Sequence, residues 1–262
     1  MEEAYKHKTK KESEAQRLLD SINDYVLDEL GIKLPELKDK MCYVINSDEI
    51  QTHRVDAYYY QPKFEEVEKA IKKGKFEVEE LNTVIEKLIN GLDYRKFTDD
   101  GLPYIRVSNI RLHSFNLKDL KYVPEMDIAK DIQLKKGDVL ITRKGTFGVA
   151  TVTGENCEKY VISSEIFRVV LKENINPHYL VSWLNSKPQQ VIFDRIKTGG
   201  IMGHLSQEVV CQIKIPLPSY AVQNKIDEEV KKRLQKTEQL QKEAKEELEK
   251  EKQKIEKIIL GK

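Results

Sequence analysis

Apolar residues recur at helical spacing at both ends of the chain and at strand-like spacing between them. Near the start, Ala15, Leu18, Leu19, Ile22, Tyr25, Val26 and Leu30 follow steps of three and four, and Gly31 closes the run. That spacing predicts a helix over residues 9–30. Beyond Pro218, the segment 219–260 contains no Gly or Pro. Val222, Ile226, Val230, Leu234, Thr237, Leu240, Ala244, Leu248, Ile255 and Ile258 form one narrow seam, and Lys and Glu fill the rest. So long a helix with so thin a stripe asks for a coiled-coil partner. Stretches 13–31 and 243–261 align without gaps, with Leu18 opposite Leu248 and Gly31 opposite Gly261. Duplication and the shared heptad pattern both account for this likeness.

The middle reads differently. Phe64, Val67, Ala70 and Ile71, then Val78, Leu81, Val84, Ile85, Leu88 and Ile89, keep helical steps, which predicts helix through 61–90. Strand-like runs follow at 104–107, 139–141, 149–152, 160–162 and 166–170. Asn176-Pro177 then opens a helix, with Asn as cap and Pro in the first turn, and Tyr179, Leu180, Trp183 and Leu184 as its buried stripe. A last strand at 213–218 ends on two prolines. The fold class expected is α+β: a recognition domain of curved sheet plus helices between two long helices that form an antiparallel coiled coil. The expected boundaries are 1–40, 41–218 and 219–262.

Charge sharpens this outline. Residues 1–100 carry 17 Lys/Arg against 23 Asp/Glu, whereas 101–200 carry 15 against 10. A net charge of +1 therefore conceals a basic middle, where an anionic partner would sit. The cysteines Cys42, Cys157 and Cys211 lie far apart, without metal-ligand spacing, and read as reduced and mostly buried thiols. No apolar run approaches the roughly 18 residues of a membrane span. The opening MEEAYKHKTKK is followed by no apolar segment of a leader peptide. A cytoplasmic protein is expected.

The most pointed stretch is GDVLITRKGTFGV, residues 137–149. A phosphate-cradling P-loop needs Lys and Ser/Thr after its second glycine, but Lys144 precedes Gly145, and a strand continues where a helix should begin. A dinucleotide loop needs three glycines; Gly145 and Gly148 are two. A hairpin with glycines at positive φ explains the turn but does not require Arg143-Lys144. Two readings stay open: a structural hairpin, or a turn that aims cations at nucleic acid. Arg106 and Asn109 after a strand, Arg143, Lys144 and Thr146 at the turn, and Lys197, Thr198 and His204 around a glycine-rich loop are the residue types that hold phosphates and read bases. Asn176-Pro177-His178-Tyr179 is one residue off the Asp/Asn-Pro-Pro-Tyr/Phe signature of adenine-N6 methyltransferases. Helix capping explains its Asn and Pro, and no glycine-rich strand end for a methyl donor lies upstream.

Taken in order, GLPYIRVSNI (101–110), KKGDVLITRKGTFGVATV (135–152), INPHYLVSWLNS (175–186) and IKTGGIMGHLSQEVVCQIKIPLPSYAVQNKI (196–226), followed by a long charged helix, resemble the specificity subunit of type I restriction–modification enzymes. LLDSINDYVLDELGI (18–32) and RVDAYYYQPKFEEVEKAI (54–71) look like that family's central helix and the lead into its second recognition domain. The resemblance implies a non-catalytic subunit that recognises one half of a split sequence in double-stranded DNA and docks methyltransferase subunits through its helices. It implies no cofactor in this chain, with S-adenosylmethionine, ATP and Mg belonging to partner subunits and a motor subunit joined indirectly. One domain between two helices, where the family has two domains, suggests a half-subunit or a piece of a larger one. Such a half is expected to pair with a second copy or a second half. A coiled-coil scaffold that binds proteins and not DNA is the alternative.

Overall fold

The structure, a computed structural model, describes residues 2–51, 54–197 and 205–260. In chain order it runs α1 (Glu2–Leu30), α2 (Pro62–Lys72), β1 (Val78–Glu80), β2 (Ile85–Asn90), β3 (Leu102–Ile105), β4 (Ile110–Arg111), β5 (Ser114–Phe115) and β6 (Lys121–Val123). It continues with β7 (Val139–Thr142), β8 (Ala150–Val152), β9 (Val161–Ile162), β10 (Ile166–Leu171), α3 (Pro177–Leu184), α4 (Lys187–Lys197), α5 (Gln207–Cys211), β11 (Lys214–Pro216) and α6 (Tyr220–Leu260). Two compact units result: residues 1–29 with 225–262, and residues 30–224.

In the helical unit, the two helices run antiparallel. Lys225 pairs with Glu29 at 2.8 Å, the Arg233 guanidinium donates to the Ser21 carbonyl at 2.6 Å, and Lys11 meets Glu243 and Glu247 at 3.3 and 3.1 Å. Positions thus rise along α1 in step with their fall along α6. Exposed ion pairs of this kind add little stability; they mark register. Burial of Ala15, Ile22, Val26, Ile226, Val230, Leu240, Ala244 and Leu248 supplies the apolar term. The 41 residues of α6 extend about 60 Å. No described helix is long and apolar enough to cross a membrane.

The second unit is built on an antiparallel sheet of order β2-β10-β7-β8, beside a three-stranded sheet β6-β3-β9 in which β3 and β9 are parallel. Central β10 has partners on both sides and reads IFRVVL, a continuous apolar run broken by Arg168. That arginine is 3% exposed and its Nε lies 2.6 Å from Asp138, which is 5% exposed. Asp138 also accepts the Lys135 amide at 2.7 Å. Burial raises the pKa of Asp138; the Lys135 amide and Arg168 oppose that rise. Around them Ile105, Ile110, Leu134, Leu140, Ile162 and Ile166 pack into one core cluster.

Helix was expected through 61–90, but only α2 forms; β1 and β2 occupy 78–80 and 85–90. Opposite Val170/Leu171 of β10 the pairing skips Glu86, an extra residue bulged out of β2, so the half-buried positions of β2 fall at Ile85, Leu88 and Ile89, a spacing that imitates a helix. Helix α4 lay unread in the sequence, although Ser186 and Pro188 at its start are a helix-opening signal. Mostly buried thiols were expected; Cys157 is buried, Cys211 half-buried and Cys42 exposed. The remaining strand-like runs and the Asn176 helix are present.

Candidate nucleic-acid interface

The stretch 137–149 forms strand β7 and a tight turn into β8. Thr142 organises the turn: its hydroxyl donates to the Thr146 carbonyl and accepts from the Val149 amide at 2.9 Å, while its own carbonyl accepts the Gly148 amide at 2.9 Å. The two glycines do different work. Gly145 has φ +70° in open space, the nearest atom to an added Cβ being a Val107 methyl at 3.4 Å. Gly148 has φ +75°, and a Cβ there would sit 2.2 Å from the Phe193 ring of α4. Gly145→Ala should cost about 1 kcal/mol, the left-handed backbone strain alone. Gly148→Ala should cost about 3 kcal/mol or more, since ring and backbone must both yield. Urea denaturation of the two variants checks the difference.

Strand β8 follows at the sheet edge. Asn185, at the end of α3, takes the place of a neighbouring strand: its Oδ1 accepts the Ala150 amide and its Nδ2 donates to the Ala150 carbonyl, both at 2.9 Å. The His113 amide, from the β4–β5 turn, also donates to that carbonyl at 3.4 Å. Gln190 of α4 donates to the Gly148 carbonyl at 3.2 Å. The turn is therefore held from β8, α3 and α4 together.

Of the expected contact residues, three are braces. Arg106 donates to the Asp119 carbonyl at 2.8 Å and its carboxylate at 2.9 Å. Asn109, 2% exposed, accepts the Arg106 amide and donates to the Asn116 carbonyl, both at 2.9 Å, which closes the 106–119 loop. Arg143 donates to the Ser164 carbonyl at 3.2 Å and lies 4.8 Å over the Phe167 ring. Lys144, half-buried, Thr146 and Lys197, both exposed, reach solvent. Thr198 and His204 lie outside the described residues.

These segments meet. The Arg143 amide donates to the Glu165 carbonyl at 2.9 Å, and the Arg143 carbonyl accepts the Leu205 amide at 3.0 Å. Val107 touches the position of Gly145, Phe147 packs edge-on to Phe193 at 6.0 Å, and α4 ends one turn beyond Phe193 at Lys197. The turns at 106–109 and 143–148, the link at 164–165 and the flanks of 198–204 thus share one neighbourhood. Sequence spacing did not reveal Asn185 or Gln190, whose amides look like ordinary helix-surface polar groups until the strand beside them is known.

The Asn176 side chain is occupied in capping: its Oδ1 accepts the His178 and Tyr179 amides at 2.9 and 3.1 Å, and its Nδ2 donates to Asn224 at 2.8 Å. The Tyr179 hydroxyl donates to the Pro216 carbonyl at 2.7 Å, and burial raises its pKa. Among the described residues, no three His, Cys, Asp or Glu side chains gather as a metal site.

His113 occupies the β4–β5 turn at φ +59°. Burial, and secondarily the charge of His178, push its pKa down to about 4. The folded state therefore favours neutral imidazole, whose unfolded pKa is about 6.5. Its contribution to stability is complete above pH 6.5 and is lost as the pH falls toward 4, by at most about 3 kcal/mol. Asn tolerates left-handed backbone, so His113→Asn should keep the turn and flatten that part of the stability–pH curve, measured by denaturation at pH 4.5, 5.5 and 7.

Residues 73–250 match the family model described as type I restriction modification DNA specificity domain. A curated relative, the type I restriction enzyme StySPI specificity subunit of Salmonella potsdam, is 25% identical over 159 residues, covering 56% of this chain and 34% of its own. The S subunit of a type I restriction-modification system from M. genitalium superposes with TM-score 0.57 at 14% identity over 94% of this chain and 54% of that one. The HsdS subunit from Thermoanaerobacter tengcongensis gives 0.54 at 13% identity over 98% and 54%. A chain from a study of complex assembly and conformational transition of the type I R-M system gives 0.59 at 14% identity over 100% and 55%. The chain spans about half the length of these solved relatives and a third of the curated one.

Proposed function

The chain belongs to the type I restriction modification DNA specificity family, and on that premise we propose that it binds double-stranded DNA sequence-specifically and without catalysis, as a specificity subunit or half of one. The observation that supports this most is the meeting of the 106–109 and 143–148 turns with the flanks of 198–204, where Lys144, Thr146 and Lys197 reach solvent. Exposed cations on a hydrogen-bonded frame suit phosphate oxygens, which fix the register of a protein on the duplex. Arg106, Asn109 and Arg143 serve that frame; Thr198 and His204 are proposed as further contacts.

Residues 41–218 are the proposed recognition domain, with 1–40 and 219–262 as the helical arms. The arms are the proposed docking element for methyltransferase subunits, which would carry S-adenosylmethionine, and for a second copy or second half. A solved relative described in terms of complex assembly supports that role. A cytoplasmic location follows from the same reading.

Selection of bound duplexes from a randomised pool tests the proposal. Enrichment of a defined sequence is the expected outcome, and a symmetric one if two copies pair. A pool that stays random, with affinity insensitive to salt, would leave the protein-binding scaffold as the better account. Sedimentation at tens of micromolar tests pairing directly; a monomer throughout would remove self-association.

A further inference from the structure

Two guanidinium groups stack on the Tyr59 ring: Arg54 sits 4.3 Å from its centroid and Arg195 sits 4.4 Å. Cations over an aromatic face are attracted by its quadrupole, most strongly where water is excluded. Both arginines are mostly buried, with 15% and 19% of their side chains exposed. Their hydrogen bonds cross. Arg54 donates to the carbonyls of Arg195 at 3.0 Å and Ile196 at 3.5 Å, at the C-terminal end of α4, where the last carbonyls lack a donor within the helix. Arg195 donates to the Tyr59 carbonyl at 3.0 Å and to Glu68 of α2 at 2.8 Å. The Tyr60 hydroxyl donates to the Arg54 carbonyl at 2.6 Å and accepts the Gln51 amide at 2.8 Å. A segment more than 130 residues earlier in the chain thus caps the last turn of α4.

That turn ends at Lys197, while Leu205 is buried and its amide bonds the Arg143 carbonyl. Lys197 is exposed and belongs to the neighbourhood described above. Fixing the helix end therefore fixes where the cation is presented. A guanidinium suits this task better than an ammonium, because its planar fork can stack and donate at once. We propose that Arg54, Tyr59 and Arg195 are positioning residues that lock the end of α4 and set the place of Lys197. This deepens the DNA-binding reading and rests on it for its functional readout.

Two measurements on the full chain test it. The first is amide hydrogen exchange, which needs no DNA. Tyr59→Ala should raise exchange in residues 194–197 by about tenfold or more, with β7 and β10 unchanged, while Tyr59→Phe should stay close to wild type. Unchanged exchange in Tyr59→Ala overturns the lock. The second is a double-mutant cycle on a random-sequence duplex at several salt concentrations. Tyr59→Ala and Lys197→Ala should each weaken binding several-fold and lower the salt slope by about one. The double variant should bind no worse than the weaker single. Losses that multiply would overturn the link to Lys197. Should Tyr59→Ala not fold, Arg54→Lys, which keeps charge and loses the fork, takes its place in both. If wild type binds no duplex at any salt, the DNA reading fails, and the exchange result still decides the lock.

Discussion

Asp138→Ala should destabilise the 30–224 unit by about 3–5 kcal/mol, the largest single-site effect expected in this chain. Arg168 sits on the central strand of the sheet, between Leu140 and Ile89, and pairs with Asp138 at 2.6 Å. A guanidinium cannot shed its proton at any accessible pH, so removing the carboxylate leaves a buried cation. The Lys135 amide loses its acceptor as well. Asp138→Asn keeps an acceptor for that amide and should fall between wild type and Asp138→Ala. The pair need not be a net stabiliser, since apolar groups of like volume often replace a buried ion pair without loss. Asp138→Leu combined with Arg168→Met should therefore recover most of the stability lost by either alone. Thermal denaturation of wild type, Asp138→Ala, Asp138→Asn, the Asp138→Leu and Arg168→Met singles and their double variant would show it; a double variant as unstable as Asp138→Ala would assign the cost to packing.

Lys144→Ala with Lys197→Ala should weaken duplex binding about tenfold or more at moderate salt and reduce the slope of log affinity against log salt by about two. Both side chains reach solvent on segments that meet. Arg143→Ala should behave differently. It removes a bond to the Ser164 carbonyl and the stack on Phe167, so its main loss is about 1–2 kcal/mol of stability. Gel shifts across a salt series and a melting curve for each variant separate the two behaviours. Unchanged slopes in the double lysine variant would take both residues out of the interface, whereas a fall in slope for Arg143→Ala alone would make that arginine a phosphate contact.

Much of the architecture could be read from periodicity. The long seam from Val222 to Leu248 declares a helix, and Asn176-Pro177 declares a cap, because both signals are local. Ile85 to Asn90 carries helical spacing although it is a strand, because a bulge at Glu86 breaks its alternation, and β10, the partner that reveals the bulge, lies about 80 residues away. The turn at 143–148 was legible as a glycine turn, but the division of work between Gly145 and Gly148 depends on Phe193, which no local pattern announces. For the same reason the loop-bracing bonds of Arg106, Asn109 and Arg143 are not legible from residue type. Residue type shows what a side chain can bond; only the fold shows which partner it has.

Asn185 carries one more consequence. Strand β8 is the last in its sheet, and an unpaired edge invites strands from other molecules. The Asn185 amide and the His113 N–H occupy the outward-facing groups of Ala150, so the short edge offers no free backbone at that point. Losing the asparagine would expose a template for intermolecular sheet growth, and the damage would surface as aggregation during expression before any change in DNA affinity could be measured.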